Sequence, residues 1–80
     1  MGIVRTNRYL KDLKRLNAAK SEIDALEAKI AQNPLSGDVI PGLQGIRKIR
    51  FAFGGRGKRG GGRAIYFLRV TEELVIMLNA

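Results

Sequence analysis

The sequence contains no cysteine, no histidine and no tryptophan. Without cysteine there are no disulfides, no thiolate nucleophile and no thiolate metal cluster. Without histidine, the side chain best suited to proton transfer near neutral pH is missing as well. Chemistry therefore falls to seven carboxylates, two tyrosines and fifteen basic side chains, and neither a cofactor nor a metal is expected. Long hydrophobic runs are also absent: none approaches the roughly 18 to 20 apolar residues of a membrane span. Met1-Gly2-Ile3-Val4-Arg5 does not open a secretory leader. The expectation is a soluble, cytoplasmic chain with no membrane partner. Its 80 residues make one domain, 1–80, and a chain of this size buries only about 60% of the surface it exposes when unfolded.

Acidic residues are scarce in one particular stretch. From Met1 to Asp38, seven basic residues (Arg5, Arg8, Lys11, Lys14, Arg15, Lys20, Lys29) stand against five acidic ones (Asp12, Glu22, Asp24, Glu27, Asp38). From Val39 to Val70 there are eight basic residues, Arg47, Lys48, Arg50, Arg56, Lys58, Arg59, Arg63 and Arg69, and no acid. Glu72 and Glu73 follow, and the net charge is +8. A solvated face would explain scattered lysines. A run made mostly of arginines, with no acid among them, matches a polyanion, because a planar guanidinium pairs two phosphate oxygens at once.

Hydrophobic spacing changes character along the chain. Tyr9, Leu13, Leu16, Ala19, Ile23, Leu26 and Ile30 recur at three- and four-residue steps, a helical period. Two successive three-residue steps around Leu16-Asn17-Ala18-Ala19 break the alternation of a coiled coil. Two short helices are predicted instead, with Asn17 capping the second and Asn33-Pro34 ending it. Ile3-Val4-Arg5-Thr6 fits a short strand ahead of them. Beyond Pro34, Ser36-Gly37-Asp38 and Pro41-Gly42 mark Leu35 to Gly45 as a surface loop. Ile49, Phe51 and Phe53 then alternate with Lys48, Arg50 and Ala52, the period of a strand with one buried face and one wet, basic face. Further strands run from about Arg63 to Val70 and from about Leu74 to Leu78, joined through Thr71-Glu72-Glu73. The expected fold is α+β in the order β-α-α-β-β-β, ending in a three-stranded antiparallel meander.

Between the first two meander strands, Gly54 to Gly62 holds Arg56, Lys58 and Arg59 among six glycines. It is not a phosphate-binding P-loop, because Lys58 is followed by Arg59 where serine or threonine is needed, and a strand follows where a helix is needed. Its composition fits a glycine–arginine segment of the disordered RNA-binding kind, or the mobile basic hairpin of a folded RNA-binding sheet. Glycines that merely let the chain turn do not account for three cations among them.

The run Gly37-Asp38-Val39-Ile40-Pro41-Gly42, then Gly45-Ile46-Arg47-Lys48-Ile49-Arg50-Phe51-Ala52, then Gly55-Arg56-Gly57-Lys58-Arg59-Gly60-Gly61 and Arg63-Ala64-Ile65-Tyr66-Phe67, resembles the HigB-like, phage-derived branch of the RelE toxin superfamily. The resemblance implies a RelE-like fold and the toxin of a type II toxin–antitoxin system. Such a toxin is an mRNA endoribonuclease that inhibits translation, in most members on the ribosome, and is silenced by a cognate helix-turn-helix antitoxin. Arg63, by its place in the motif, would meet the scissile phosphate. Lys48 and Arg50 would complete the catalytic set, with Lys48 as proton acceptor. Arg47, Arg56, Lys58 and Arg59 would contact the RNA backbone, and Tyr66 would stack on a base, donate its hydroxyl or belong to the core. Family members usually continue past the last strand, whereas here Val75-Ile76-Met77-Leu78 is followed by Asn79-Ala80. An inactive, truncated relative, or a homodimer covering the last strand, is therefore also expected. The alternative to an enzyme is a non-catalytic basic module that grips RNA or DNA.

Overall fold

The computed structural model describes residues 1–53 and 61–80. The elements follow in the order β1 (Gly2–Arg5), α1 (Asn7–Arg15), α2 (Lys20–Gln32), β2 (Asp38–Val39), β3 (Ile46–Phe51), β4 (Gly62–Arg69) and β5 (Leu74–Asn79). Short 3-10 turns occupy Pro34–Ser36 and Val70–Glu72.

Thr6 starts α1. Its hydroxyl accepts from the Tyr9 amide (3.2 Å) and donates to the Met77 carbonyl (2.7 Å), so one side chain both caps the helix and ties it to β5. Asn17 was expected to cap the second helix; it closes the first. It adopts the left-handed region (φ 57°), and the amides of Asn17 and Ala18 return to the carbonyls of Lys14 and Leu13. This is a Schellman ending, and asparagine tolerates the conformation because its short side chain is compatible with positive φ. Ala19 takes the N-cap of α2, where Glu22 accepts its amide at 2.8 Å. The predicted stop at Asn33-Pro34 holds, with α2 ending at Gln32.

The predicted meander is present as antiparallel β3–β4–β5 pairs, within a larger, mixed sheet of order β1-β5-β4-β3-β2. Two departures from expectation enlarge it. β1 runs parallel to β5, pairing Ile3 with Val75 and Arg5 with Met77, so the last strand lies inside the sheet, flanked on both sides. The stretch read as a plain surface loop contributes β2, whose Asp38 pairs with Lys48 and Val39 with Arg47.

One face of the sheet meets the helices. Tyr9 and Leu13 of α1 and Leu26 and Ile30 of α2 pack on Ile49, Phe51, Ala64, Tyr66, Leu68, Val75 and Met77. Each large side chain fully buried here contributes about 1.5–3 kcal/mol. Strand alternation sends Lys48, Arg50, Arg63, Ile65 and Phe67 to the opposite face, where Arg50 and Arg63 are exposed and the other three half-buried. The turn into β3 depends on Gly45. At φ 79°, with the Phe67 ring 2.5 Å from where a Cβ would stand, no other residue fits without displacement.

Two acids sit inside the apolar layer, where helical periodicity gave no sign of them. Glu27 accepts from Arg5 Nε (2.9 Å) and from the Tyr9 hydroxyl (2.9 Å), joining β1, α1 and α2. Burial, and then the Glu27 carboxylate, push the Tyr9 hydroxyl well above its ordinary range. Asp12 accepts from the Ala80 amide (3.1 Å) and pairs with Arg8 and Arg15. That amide bond is the main cause of a carboxyl held below its usual value.

Candidate functional site

In the helical half the charges are mostly spent on one another. Arg5 pairs with Glu27, Arg8 and Arg15 with Asp12, and Lys20 with Asp24. At the end of β4, Arg69 pairs with Glu72 and lies 5.9 Å from the Phe67 ring centroid.

One corner of the open sheet face differs. In the β3–β4 ladder Arg50 stands directly opposite Arg63, and Lys48 lies two residues along the same face. On the other side of β3, Asp38 faces Lys48. Asp38, Lys48, Ile49, Arg50 and Arg63 line a small cavity of about 150 Å³. Arg50 and Arg63 also wall a second, open cavity of about 570 Å³, shared with Leu16, Phe53, Gly61, Gly62 and Ala80. Among the described residues, none of the four charged side chains Asp38, Lys48, Arg50 and Arg63 has a hydrogen bond or ion pair.

Like charges placed directly opposite in a ladder repel and destabilise the pairing. Arginines left unpaired beside a cavity are the arrangement that an incoming anion relieves, with planar forks that match phosphate oxygens. Lys48 adds a point charge and a proton donor. A carboxylate at the rim adds an acceptor.

Of the residues singled out from sequence, Lys48, Arg50 and Arg63 are brought together. Arg47 is not among them. It belongs to the other face of β3, where its guanidinium donates to the carbonyls of Gly37 (2.8 Å) and Leu35 (3.4 Å), so it anchors the segment before β2. Tyr66 is wholly buried. Its hydroxyl donates to the Pro34 carbonyl (2.6 Å) and accepts from the Gly37 amide (3.0 Å), leaving nothing of the ring or hydroxyl for a base. Arg56, Lys58 and Arg59, and the glycine-rich hairpin that carries them, lie outside the described residues.

Sequence reasoning missed Asp38. The signal was its solitude: it is the one acid between Lys29 and Glu72. Neither alternation nor composition could place it, because a two-residue strand has no readable period. Among the described residues no group of three or more acidic side chains could hold a metal ion. No helix among them is long and apolar enough to cross a membrane.

A two-layer α+β fold with a five-stranded mixed sheet of order β1-β5-β4-β3-β2 is a RelE-like architecture. Solved structures bear this out. A chain of the intact E. coli RelBE toxin–antitoxin complex superposes with a TM-score of 0.70, covering 99% of this chain and 96% of that one at 15% sequence identity. An E. coli RelE mutant in the free state also gives 0.70, covering 98% of this chain and 78% of that one at 16% identity. No family model matches the sequence. The chain has the RelE toxin fold.

Proposed function

We propose that this chain is the toxin of a toxin–antitoxin pair and acts as an endoribonuclease on messenger RNA, inhibiting translation in the cytoplasm. The observation that carries the reading is the set of unspent cations, Lys48, Arg50 and Arg63, gathered at one corner of the open sheet face of a RelE-like fold. RNA can be cut by its own ribose 2′-hydroxyl. That reaction needs no protein nucleophile; it needs cations around a pentacoordinate phosphorus, a proton acceptor and a proton donor. In this reading Arg63 and Arg50 hold the phosphate oxygens, while Lys48 serves in proton transfer. Arg56, Lys58 and Arg59 add backbone contacts. The structural neighbour from a toxin–antitoxin complex supports a protein partner that silences the site. A cognate antitoxin of the helix-turn-helix type and a ribosome-bound substrate complete the proposal.

The test compares wild type with Arg63→Ala in a reconstituted translation reaction, following mRNA length and protein yield together with RNA affinity. Loss of cleavage by a factor of about 10² or more, with a modest change in affinity, is expected of a residue that acts in the transition state. If wild type leaves the RNA intact, and Arg63→Ala weakens binding no more than Arg50→Ala does, the chain is a basic binding module and the enzyme reading fails.

A further inference from the structure

We propose that Asp38 accepts the proton of the attacking ribose 2′-hydroxyl, with Lys48 protonating the leaving group; this rests on the ribonuclease reading above. Three observations converge on Asp38. It is the one carboxylate lining a cavity with Lys48, Arg50 and Arg63, and it is exposed there. No side-chain partner among the described residues occupies it. Other acids among the described residues are committed elsewhere: Asp12 to Ala80, Arg8 and Arg15, Glu22 to the Ala19 amide, Asp24 to Lys20, Glu27 to Arg5 and Tyr9, and Glu72 to Arg69.

Its placement is also secured from behind. The Gly37 amide donates to the Tyr66 hydroxyl, and the Gly37 carbonyl accepts from Arg47. A Cβ at Gly37 would stand 2.6 Å from that hydroxyl and 3.0 Å from the Lys48 carbonyl, so the chain approaches β3 too closely for any side chain one residue before Asp38. A surface acid with no role beyond solubility needs no such seat. A cross-strand ion pair with Lys48 would be the ordinary purpose of this pairing, but no Asp38–Lys48 contact within salt-bridge distance forms.

The step balances without a metal or a further reactant. The 2′-O–H bond breaks and its proton passes to the Asp38 carboxylate. The 2′-oxygen forms a bond to phosphorus as the P–O5′ bond breaks, and O5′ takes a proton from the Lys48 ammonium. The products are a 2′,3′-cyclic phosphate and a 5′-hydroxyl. Arg50 and Arg63 hold the non-bridging oxygens. The neighbouring Asp38 and Lys48 then restore each other by proton exchange through solvent.

The experiment measures cleavage of ribosome-bound mRNA across pH for wild type, Asp38→Asn and Asp38→Glu, alongside thermal stability and affinity for an uncleavable 2′-deoxy-substituted oligonucleotide. Asp38→Asn should lower the cleavage rate by about 10²–10⁴-fold and abolish the acid limb of the pH–rate profile. Affinity should be unchanged or tighter, since a negative charge leaves a cluster of cations. Asp38→Glu should recover part of the rate and the acid limb. The charged groups facing Asp38 are Lys48 and Arg50 on β3 and Arg63 on β4, with Arg47 and Tyr66 behind Gly37. None of these yields an acid limb of carboxylate type. If wild type cleaves and Asp38→Asn cleaves at a comparable rate with the same pH profile, the assignment of Asp38 is wrong and the ribonuclease reading stands. A wild type that does not cleave overturns both.

Discussion

Asp12 shows what a single buried acid does for this fold. It lies in the first helix with its carboxylate turned inward, where it accepts the Ala80 amide and draws in Arg8 and Arg15. The bonded, ionised form is favoured, so the carboxyl is depressed below its usual range. A group depressed on folding adds stability that is fully present above its unfolded pKa, about 3.9 for aspartate, and is lost as pH falls through the folded value. Asp12→Asn should accordingly destabilise the protein at pH 7, and the gap from wild type should narrow steadily below about pH 4. Urea unfolding at a series of pH values measures this. A gap that stays constant down to pH 2 would show that the asparagine disrupts packing and that ionisation contributes nothing. Glu27 is the second buried acid, with Arg5 and the Tyr9 hydroxyl as its partners.

β2 is the element whose placement matters most and whose own pairing is weakest. Two residues of ladder cannot hold a strand by themselves. The segment is fixed instead by Tyr66 and Arg47, which bond the backbone of Pro34 to Gly37 from inside the fold. Replacing Tyr66 by Phe removes one hydroxyl and leaves a buried amide and a carbonyl without their partner, which costs about 1–3 kcal/mol. On the proposed ribonuclease reading, we expect Tyr66→Phe to lose stability by that amount and to cleave RNA more slowly while its affinity changes little, because the cations sit on β3 and β4 and do not move with β2. Denaturation, binding and cleavage assays on the same preparation test this. Equal losses of affinity and rate would mean that Tyr66 supports the whole face and not β2 in particular.

For the molecule as a whole, the arrangement of charge matters more than its sum. The helices hold a solvated basic surface at Lys11 and Lys14, both exposed, while the sheet holds Lys48, Arg50 and Arg63 on its open face. If single-stranded RNA is gripped there through about five phosphates, the logarithm of the binding constant should fall with the logarithm of salt at a slope of roughly −3 to −4. Neutralising Lys48, Arg50 or Arg63 should reduce that slope by a little under one unit each, from the ~0.7 counterions released per phosphate. Neutralising Lys11 or Lys14 should leave it unchanged. Titrations at four or five salt concentrations separate the two groups. Equal effects from both would mean that RNA responds only to net charge.

What the sequence alone determined is what short-range periodicity encodes. Steps of three and four residues marked both helices, Asn33-Pro34 marked the end of the second, and alternation about Ile49 and Phe51 assigned Lys48 and Arg50 to one face, because a helix turn or a strand pleat repeats within a few residues. Arg63 was reachable through its motif. The tertiary structure alone decided the rest. Asn17 could read as the end of one helix or the start of the next, since asparagine serves both. Arg47, one residue from Lys48, was counted with the site although strand alternation sends it to the other face, where its partners lie about ten residues upstream. Tyr66 entered the core because Pro34 and Gly37 happen to close over its hydroxyl. β1 met β5 across most of the chain, and Asp38 met Lys48, Arg50 and Arg63 through three strands paired at a particular register. Such meetings leave no local pattern, because which strands pair, and at what offset, is set by the burial of the whole sheet face against two helices and not by the residues on either side of the contact.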